Sequence, residues 1–553
     1  MKIIISLFTV VIALTGLSGC VVFQYGAYTN TDEKTPQSAA PSQTSFFIRD
    51  KREAKHCTDK KLASPKRQKD VLVLLAFSGG GSRAAYFSAL SMLEMQKIKF
   101  TVGGEESDLL HEVDVISSVS GGSLAAGYYA ISADPGAECA SETGRTWNVD
   151  NDAEIRELMT RDYRDRWLGN WFWPNNIFSF WFSNFDRTDI MARTLANSLF
   201  SGKADGTDLR LGELNALRPN LILNATTGSR GSGDEKNISF GHVFTFTDED
   251  FARICSSVQE YSAARAVMAT ATFPGAFNFM TLRNYCPNGS KDVRHLHVFD
   301  GGNGDNLGLT SLKRVIWDTL EDRDRKPTTT YKRIIVVQVD SFTFSRGASP
   351  NDADPRAFLD YFLDTNVADA TDSLLEANRE NILSDYQSHR IFRFDSAARS
   401  EENATCRNFF HVDADKYCTK GASYWEELNK EVGGKLTFVH LAFERVGSVT
   451  GCQDRDGLPS RAGNCLEQQL NRIPTDFKFR TARDLHTQLT DVEAIACAVA
   501  ALFSRDVTKN CGAIRPVFPE RAAQVWDEVR RILQNPDAAN VIAVGSANSA
   551  SKK

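Results

Sequence analysis

Val71-Leu72-Val73-Leu74-Leu75-Ala76-Phe77-Ser78-Gly79-Gly80-Gly81-Ser82-Arg83 decides how the rest of the chain is read. Seven apolar residues without polar alternation describe a strand covered on both faces. They run straight into three glycines, and a helical pattern, Ala84 to Gln96, follows. Strand, glycine turn and helix in that order open an α/β sheet. The alternation then recurs: Val113 to Val119, Asn220 to Ala225, His297 to Phe299, Arg333 to Val339 and Leu436 to Phe443 read as strands. Helical segments such as Ser262 to Ala271 separate them. The expected architecture is a three-layer α/β fold with a mainly parallel central sheet flanked by helices.

Glycines at Gly79, Gly80 and Gly81 allow backbone N–H groups to converge on one point with no Cβ in the way. The helix start behind them adds partial positive charge. Such a loop holds an anion, either a phosphate or the oxyanion of a tetrahedral acyl intermediate. Gly79-x-Gly81-x-x-Ala84 also satisfies a loose dinucleotide fingerprint, and a plain tight turn is a third reading. Against the dinucleotide, Lys97 to Ser107 offers no strand ending in an acidic ribose ligand.

The second strand ends in Ser118-Val119-Ser120-Gly121-Gly122 and passes into the helix-like Ser123 to Ala130. A serine between small residues on a strand-to-helix turn is the pattern of a nucleophile elbow, with Ser118 and Gly122 in the small flanking positions. Ser117, Ser118 and Ser123 read as turn or capping hydroxyls. Further on, His297-Val298-Phe299 ends in Asp300-Gly301-Gly302-Asn303-Gly304-Asp305-Asn306. A carboxylate at a strand end suits a general base, while Asp-Gly is also a favoured hairpin turn. A calcium loop over Asp300, Asp305 and Asn306 lacks EF-hand spacing and the terminal Glu.

In this order the glycine loop with its Arg83, the Ser120 elbow and the Asp300-Gly-Gly turn resemble the patatin-like phospholipase family. Asn224-Ala225-Thr226-Thr227-Gly228 and Arg265 to Pro274 resemble two further segments of that family, and the likeness spans about residues 70 to 345. The resemblance implies a Ser–Asp dyad, an oxyanion hole from the glycine loop, and hydrolysis of lipid acyl esters with no metal or cofactor. By matching position it makes Ser120 the nucleophile and Asp300 the base. Gly80 and Gly81 become the oxyanion donors, with Gly79 and Arg83 shaping the loop. Ser118 departs from the glycine of the usual elbow. Hydrolysis and transacylation differ only in acceptor. A Ser–His–Asp triad using His440 or His486 is the mechanistic rival, since both follow Asp300 in the chain. A non-catalytic outer-membrane lipoprotein using the pocket for binding or assembly is the alternative function.

The ends of the chain bear on its compartment. Lys2 precedes an apolar run, Ile3 to Leu17, which is too short to span a bilayer and ends in Leu17-Ser18-Gly19-Cys20. This resembles a bacterial lipobox, implying a signal peptide over 1–20 and lipidation at Cys20. With Val21 rather than Asp next, the expected location is the cell envelope, lipid-anchored at the outer membrane. Residues 21–52 read as a flexible tether, 53–534 as the catalytic domain with its C-terminal extension, and 535–553 as a disordered tail. Setting Cys20 aside leaves ten of 11 cysteines. Cys406/Cys418, Cys452/Cys465 and Cys497/Cys511 lie close in loop-like sequence without zinc spacing, so disulfides in an oxidising compartment are expected.

Membrane lipids are the expected partner, as substrate and anchor. A net charge of −6 provides no global basic field, so nucleic acid is not expected. The basic run Lys60 to Lys69 reads as a solvated surface. Trp167 to Phe185 concentrates four of the eight tryptophans. Such a segment suits a bilayer interface or an acyl-pocket wall, or packs against the sheet.

Overall fold

The computed structural model describes residues 30–32, 42–48, 67–135, 145–183, 185–200, 208–229, 240–286, 295–321, 331–343, 366–394, 406, 409–410, 414–454, 456–459, 463–504, 511–516 and 519–537. Its central sheet has eight strands: β1 (Val71–Phe77), β2 (Val115–Val119), β3 (Asn220–Thr227), β4 (Val243–Thr245), β5 (Met280–Arg283), β6 (His295–Asp300), β7 (Arg333–Asp340) and β8 (Leu436–Ala442). The order across the sheet is β8-β7-β1-β2-β3-β6-β5, with β4 paired to β3. The pairs from β8 to β3 are parallel; β6 on β3, β5 on β6 and β4 on β3 are antiparallel.

β1 shows why the run of apolar residues folds this way. Val71, Val73, Leu75 and Phe77 enter one hydrophobic core, and Leu72, Leu74 and Ala76 enter a second on the opposite face. Two covered faces leave no position for a polar residue, which gives three layers. The first core is closed by α1 (Gly81–Gln96), α2 (Gly122–Ile131) and α6 (Ala263–Thr270), together with the late helices Asp491–Leu502 and Pro519–Gln534. The second is closed by α7 (Leu309–Glu321), α8 (Asn366–Gln387) and α9 (Ala422–Gly433). Three further helices, α3 (Tyr163–Trp171), α4 (Pro174–Phe182) and α5 (Arg187–Leu195), lie between β2 and β3 in the chain.

The fold class expected from sequence is the observed one. Two strands of this sheet escaped the sequence reading: β4 has three residues and β5 four, too few for their alternation to stand out. Outside the sheet, Lys99–Val102 and Glu105–Asp108 form an antiparallel hairpin where the sequence reading of Lys97 to Ser107 offers no strand. Its alternation is polar and glycine-interrupted, and among the described residues it pairs only with itself rather than extending the central sheet. Val113 and Asp114 precede β2 rather than belonging to it. The Asp114 side chain instead accepts from the Val73 N–H at 2.9 Å and from Arg67 at 2.8 Å.

Part of the stretch read as a flexible tether is docked. Thr31–Asp32 pairs with Ser256–Ser257, Phe46 lies in the second core, and the Gln43 side chain donates to the Asn215 carbonyl at 2.9 Å. The apolar run Phe46-Phe47-Ile48 outweighs the polar composition around it. The lipobox-like residues, Cys20 included, lie outside the described residues, as do 538–553 of the expected tail.

The expected disulfides Cys406–Cys418, Cys452–Cys465 and Cys497–Cys511 are all formed. A fourth, Cys255–Cys286, joins cysteines 31 residues apart, a spacing that proximity in sequence does not suggest.

Candidate active site

Strand register alone brings the two key side chains together. Val119 pairs with Asn224 across β2 and β3, so Ser120, one residue further, is level with Ala225. Ala225 pairs with Asp300 across β3 and β6. Ser120 Oγ donates to Asp300 Oδ2 at 2.9 Å, and both residues are buried.

Ser120 holds a φ of +49°, a left-handed conformation that costs a non-glycine residue about 1–3 kcal/mol. The surroundings enforce it. β2 must turn at once into α2, and the glycine loop lies against the turn. A Cβ on Gly121 would stand 1.9 Å from the Gly81 carbonyl oxygen, so no larger residue fits there. A Cβ on Gly122 would stand 2.7 Å from Phe77 Cβ and from the Ser78 carbonyl oxygen. Ser118 is fully buried, and its hydroxyl accepts from Ser123 Oγ at 3.1 Å, so a serine is accommodated where the usual elbow has glycine.

Asp300 is fixed by its other oxygen, which accepts the Gly302 N–H at 2.8 Å. Burial pushes its carboxyl up to about 6, against the opposing pull of the Gly302 and Ser120 hydrogen bonds. Among the described residues no cation pairs with it, and desolvation dominates. Such a carboxylate is a stronger base than an exposed one and still ionised at neutral pH.

The glycine loop borders the pair: a Cβ on Gly79 would lie 3.2 Å from Ser120 Cβ. The three N–H groups are not equivalent. That of Gly79 donates to the Asn306 carbonyl at 3.0 Å, whereas those of Gly80 and Gly81 have no partner among the described residues. Arg83 donates to the Ile473 carbonyl at 3.1 Å, and Ser82 Oγ donates to that of Pro474 at 3.4 Å. These two contacts join the start of α1 to the C-terminal part of the chain.

The histidines of the rival triad lie elsewhere. His440 Nε2 faces Asp340 Oδ2 at 3.0 Å and its Nδ1 accepts from Arg445 at 3.1 Å, so both ring nitrogens are engaged. His486 Nδ1 sits 2.8 Å from the Gln453 carbonyl. Among the described residues no group of His, Cys, Asp and Glu has the arrangement of a metal site.

Three residues support the site in ways the sequence did not indicate. Asn224 donates through Nδ2 to Ser117 Oγ and to the Ser118 carbonyl, both at 2.9 Å, and accepts from Ser311 Oγ at 2.5 Å. Asn306 supplies the acceptor for Gly79, and Ser341 donates to the Gly79 carbonyl at 2.6 Å. The one signal available was Asn224, a polar residue inside a wholly buried strand.

Residues 75–313 match the model of the patatin-like phospholipase family. That span holds the glycine loop, the Ser120 elbow and the Asp300 turn, and ends before β7 and β8. No curated protein matches the chain. Among solved structures, the chain is similar to human GIVD cytosolic phospholipase A2 at 11% identity and a TM-score of 0.29, covering 49% of this chain and 43% of that one. It spans less than half of that protein's length. VipD from Legionella pneumophila matches at 14% identity and TM-score 0.23, over 85% and 80% of the two chains. The ExoU–SpcU complex of Pseudomonas aeruginosa matches at 13% identity and TM-score 0.19, over 86% and 84%. These likenesses are too distant to carry a functional argument.

Proposed function

We propose that the protein is a serine lipid acyl hydrolase working through a Ser120–Asp300 dyad. The observation that carries this reading is the 2.9 Å hydrogen bond from Ser120 to a buried carboxylate, made at a left-handed elbow beside the Gly80 and Gly81 N–H groups, which have no partner among the described residues. The patatin-like match over residues 75–313 supports the lipid ester as substrate class.

In the reaction, Asp300 accepts the Ser120 proton as Oγ attacks the ester carbonyl. The Gly80 and Gly81 N–H groups hold the resulting oxyanion, reinforced by the N-terminal ends of α1 and α2. Collapse expels the alcohol, which takes the proton from Asp300 and leaves an acyl-Ser120 ester. Water, activated by the same carboxylate, then releases the fatty acid and restores the serine.

The aromatic helices supply the membrane face in this reading. Phe172 is 80% exposed and Trp173 64% exposed, with Phe178, Phe180 and Trp181 beside them. No Asp, Glu, Lys or Arg occurs from Trp167 to Phe185. The nine-residue α4 would reach only about 14 Å, too short to cross a bilayer and suited to lying in its interface. Trp167 packs on Phe277 with ring centroids 5.1 Å apart, and Phe277 lies five residues after Thr272, whose carbonyl accepts the Asp300 N–H. The lipobox-like Cys20 motif and the four disulfides support an envelope location.

The test is fatty-acid release from phospholipid vesicles by purified protein. The parent chain releases free acid and Asp300→Asn does not; equal release by both refutes the dyad.

A further inference from the structure

We infer that Ser341 is a positioning residue of the oxyanion loop, its hydroxyl pinning the Gly79–Gly80 peptide so that the Gly80 N–H is presented to the reacting carbonyl oxygen. This rests on the hydrolase reading above and extends it to a residue outside all three motifs and outside the matched span.

Register again sets the geometry. Val339 pairs with Phe77 across β7 and β1, so Ser341, two residues on, is level with Gly79. Ser78 N–H donates to the Val339 carbonyl at 3.0 Å, and Ser341 N–H donates to Ser78 Oγ at 2.8 Å, which continues the strand contact past the strand ends. Ser341 Oγ then donates to the Gly79 carbonyl at 2.6 Å, the shorter of two hydroxyl contacts on that oxygen, the other being from Ser78 Oγ at 3.1 Å. With the Gly79 N–H committed to Asn306, both polar ends of Gly79 are fixed.

A trans peptide is planar, with its C=O and N–H pointing in opposite directions. No cis bond occurs among the described residues. Holding the Gly79 carbonyl on Ser341 therefore turns the Gly80 N–H to the opposite side. There it has no partner among the described residues, one residue from the Gly79–Ser120 contact. Gly80 has a φ of +139°, and a Cβ at this position would fall 2.3 Å from Ser341 Oγ. A peptide between two glycines rotates readily, so an external anchor is needed to keep one face of it presented.

Ser341 itself stands on a rigid base. Asp340 Oδ1 accepts the Phe342 N–H at 3.0 Å. Its Oδ2 accepts from Arg379 Nε at 2.7 Å and faces His440 Nε2 at 3.0 Å. The Arg379 guanidinium lies 4.8 Å above the Phe342 ring. This buried cluster takes no part in proton transfer; it fixes the turn that carries Ser341.

The experiment compares the full chain with Ser341→Ala and with Ser341→Cys, which keeps the volume and loses the strong donor. Steady-state hydrolysis and the rate of phosphonylation by a fluorophosphonate probe are both measured, with the thermal midpoint as a check on folding. Removing a direct oxyanion donor costs about 10²–10³ in kcat, so a displaced one is expected to cost about 10- to 100-fold. The loss falls on kcat and on the probe rate, with KM unchanged. If both variants keep the parent kcat and probe rate, or lose only KM, the positioning role is overturned. A parent chain that the probe does not label overturns the hydrolase reading instead, a separate result.

Discussion

In the proposed reaction Asp300 is the general base. Its folded pKa near 6 lies above that of a free carboxyl because burial disfavours the ionised form. A general base must be ionised, so kcat/KM is expected to fall as pH drops below about 6 and to be level through neutrality. A pH–rate profile whose acid limb lies near 4 contradicts this. Folding disfavours the charge, so neutralising it does not weaken the fold near neutral pH. Asp300→Asn should therefore lose about 10²–10⁴ in kcat while its thermal midpoint stays level or rises. Gly121→Ala, with its Cβ directed at the Gly81 carbonyl, should remove activity by displacing the loop from the elbow. Retained activity in that variant, with a normal thermal midpoint, would show that the close approach is dispensable.

At the scale of elements, the strand-loop-helix units that carry Ser120 and the glycine loop were legible because their signals are local: apolar run, small residues, helical period. Asn306 and Ser341 were not. Each matters through a strand register that brings distant chain segments level, and no local pattern encodes that. β4 and β5 were missed for a different reason, their shortness. Helices α3 and α4 were legible as aromatic-rich, but which rings pack inward is decided only in three dimensions. Trp167 turns in, donating to the Arg187 carbonyl at 2.9 Å, while Phe172 and Trp173 face solvent. Phe172→Ser with Trp173→Ser should weaken liposome binding at least about tenfold, given roughly 1.5–3 kcal/mol for each large apolar side chain buried. Hydrolysis of a short soluble ester should be untouched. Equal liposome binding by variant and parent counts against a membrane face.

Across the whole molecule, the residues that serve the site extend well beyond 75–313. β7 and β8 complete the sheet, Ser341 anchors the loop, and Ile473 and Pro474 receive Arg83 and Ser82. A chain cut after residue 345 should therefore be inactive despite retaining every motif, because β8 and the partners of Arg83 are gone. Full activity in such a fragment would reduce the C-terminal part to an appendage. The disulfides clip this region: Cys497–Cys511 closes a short loop off the helix Asp491–Leu502. Replacing both cysteines by serine should cost about 2–4 kcal/mol in a denaturant titration.

The most direct measurement is the mass of the protein after incubation with a fluorophosphonate, with the adduct mapped to a peptide. One phosphonyl group on Ser120 is expected, absent from Ser120→Ala, strongly slowed in Asp300→Asn and unchanged in His486→Ala. An adduct on another residue, or none on the intact chain, would contradict the dyad.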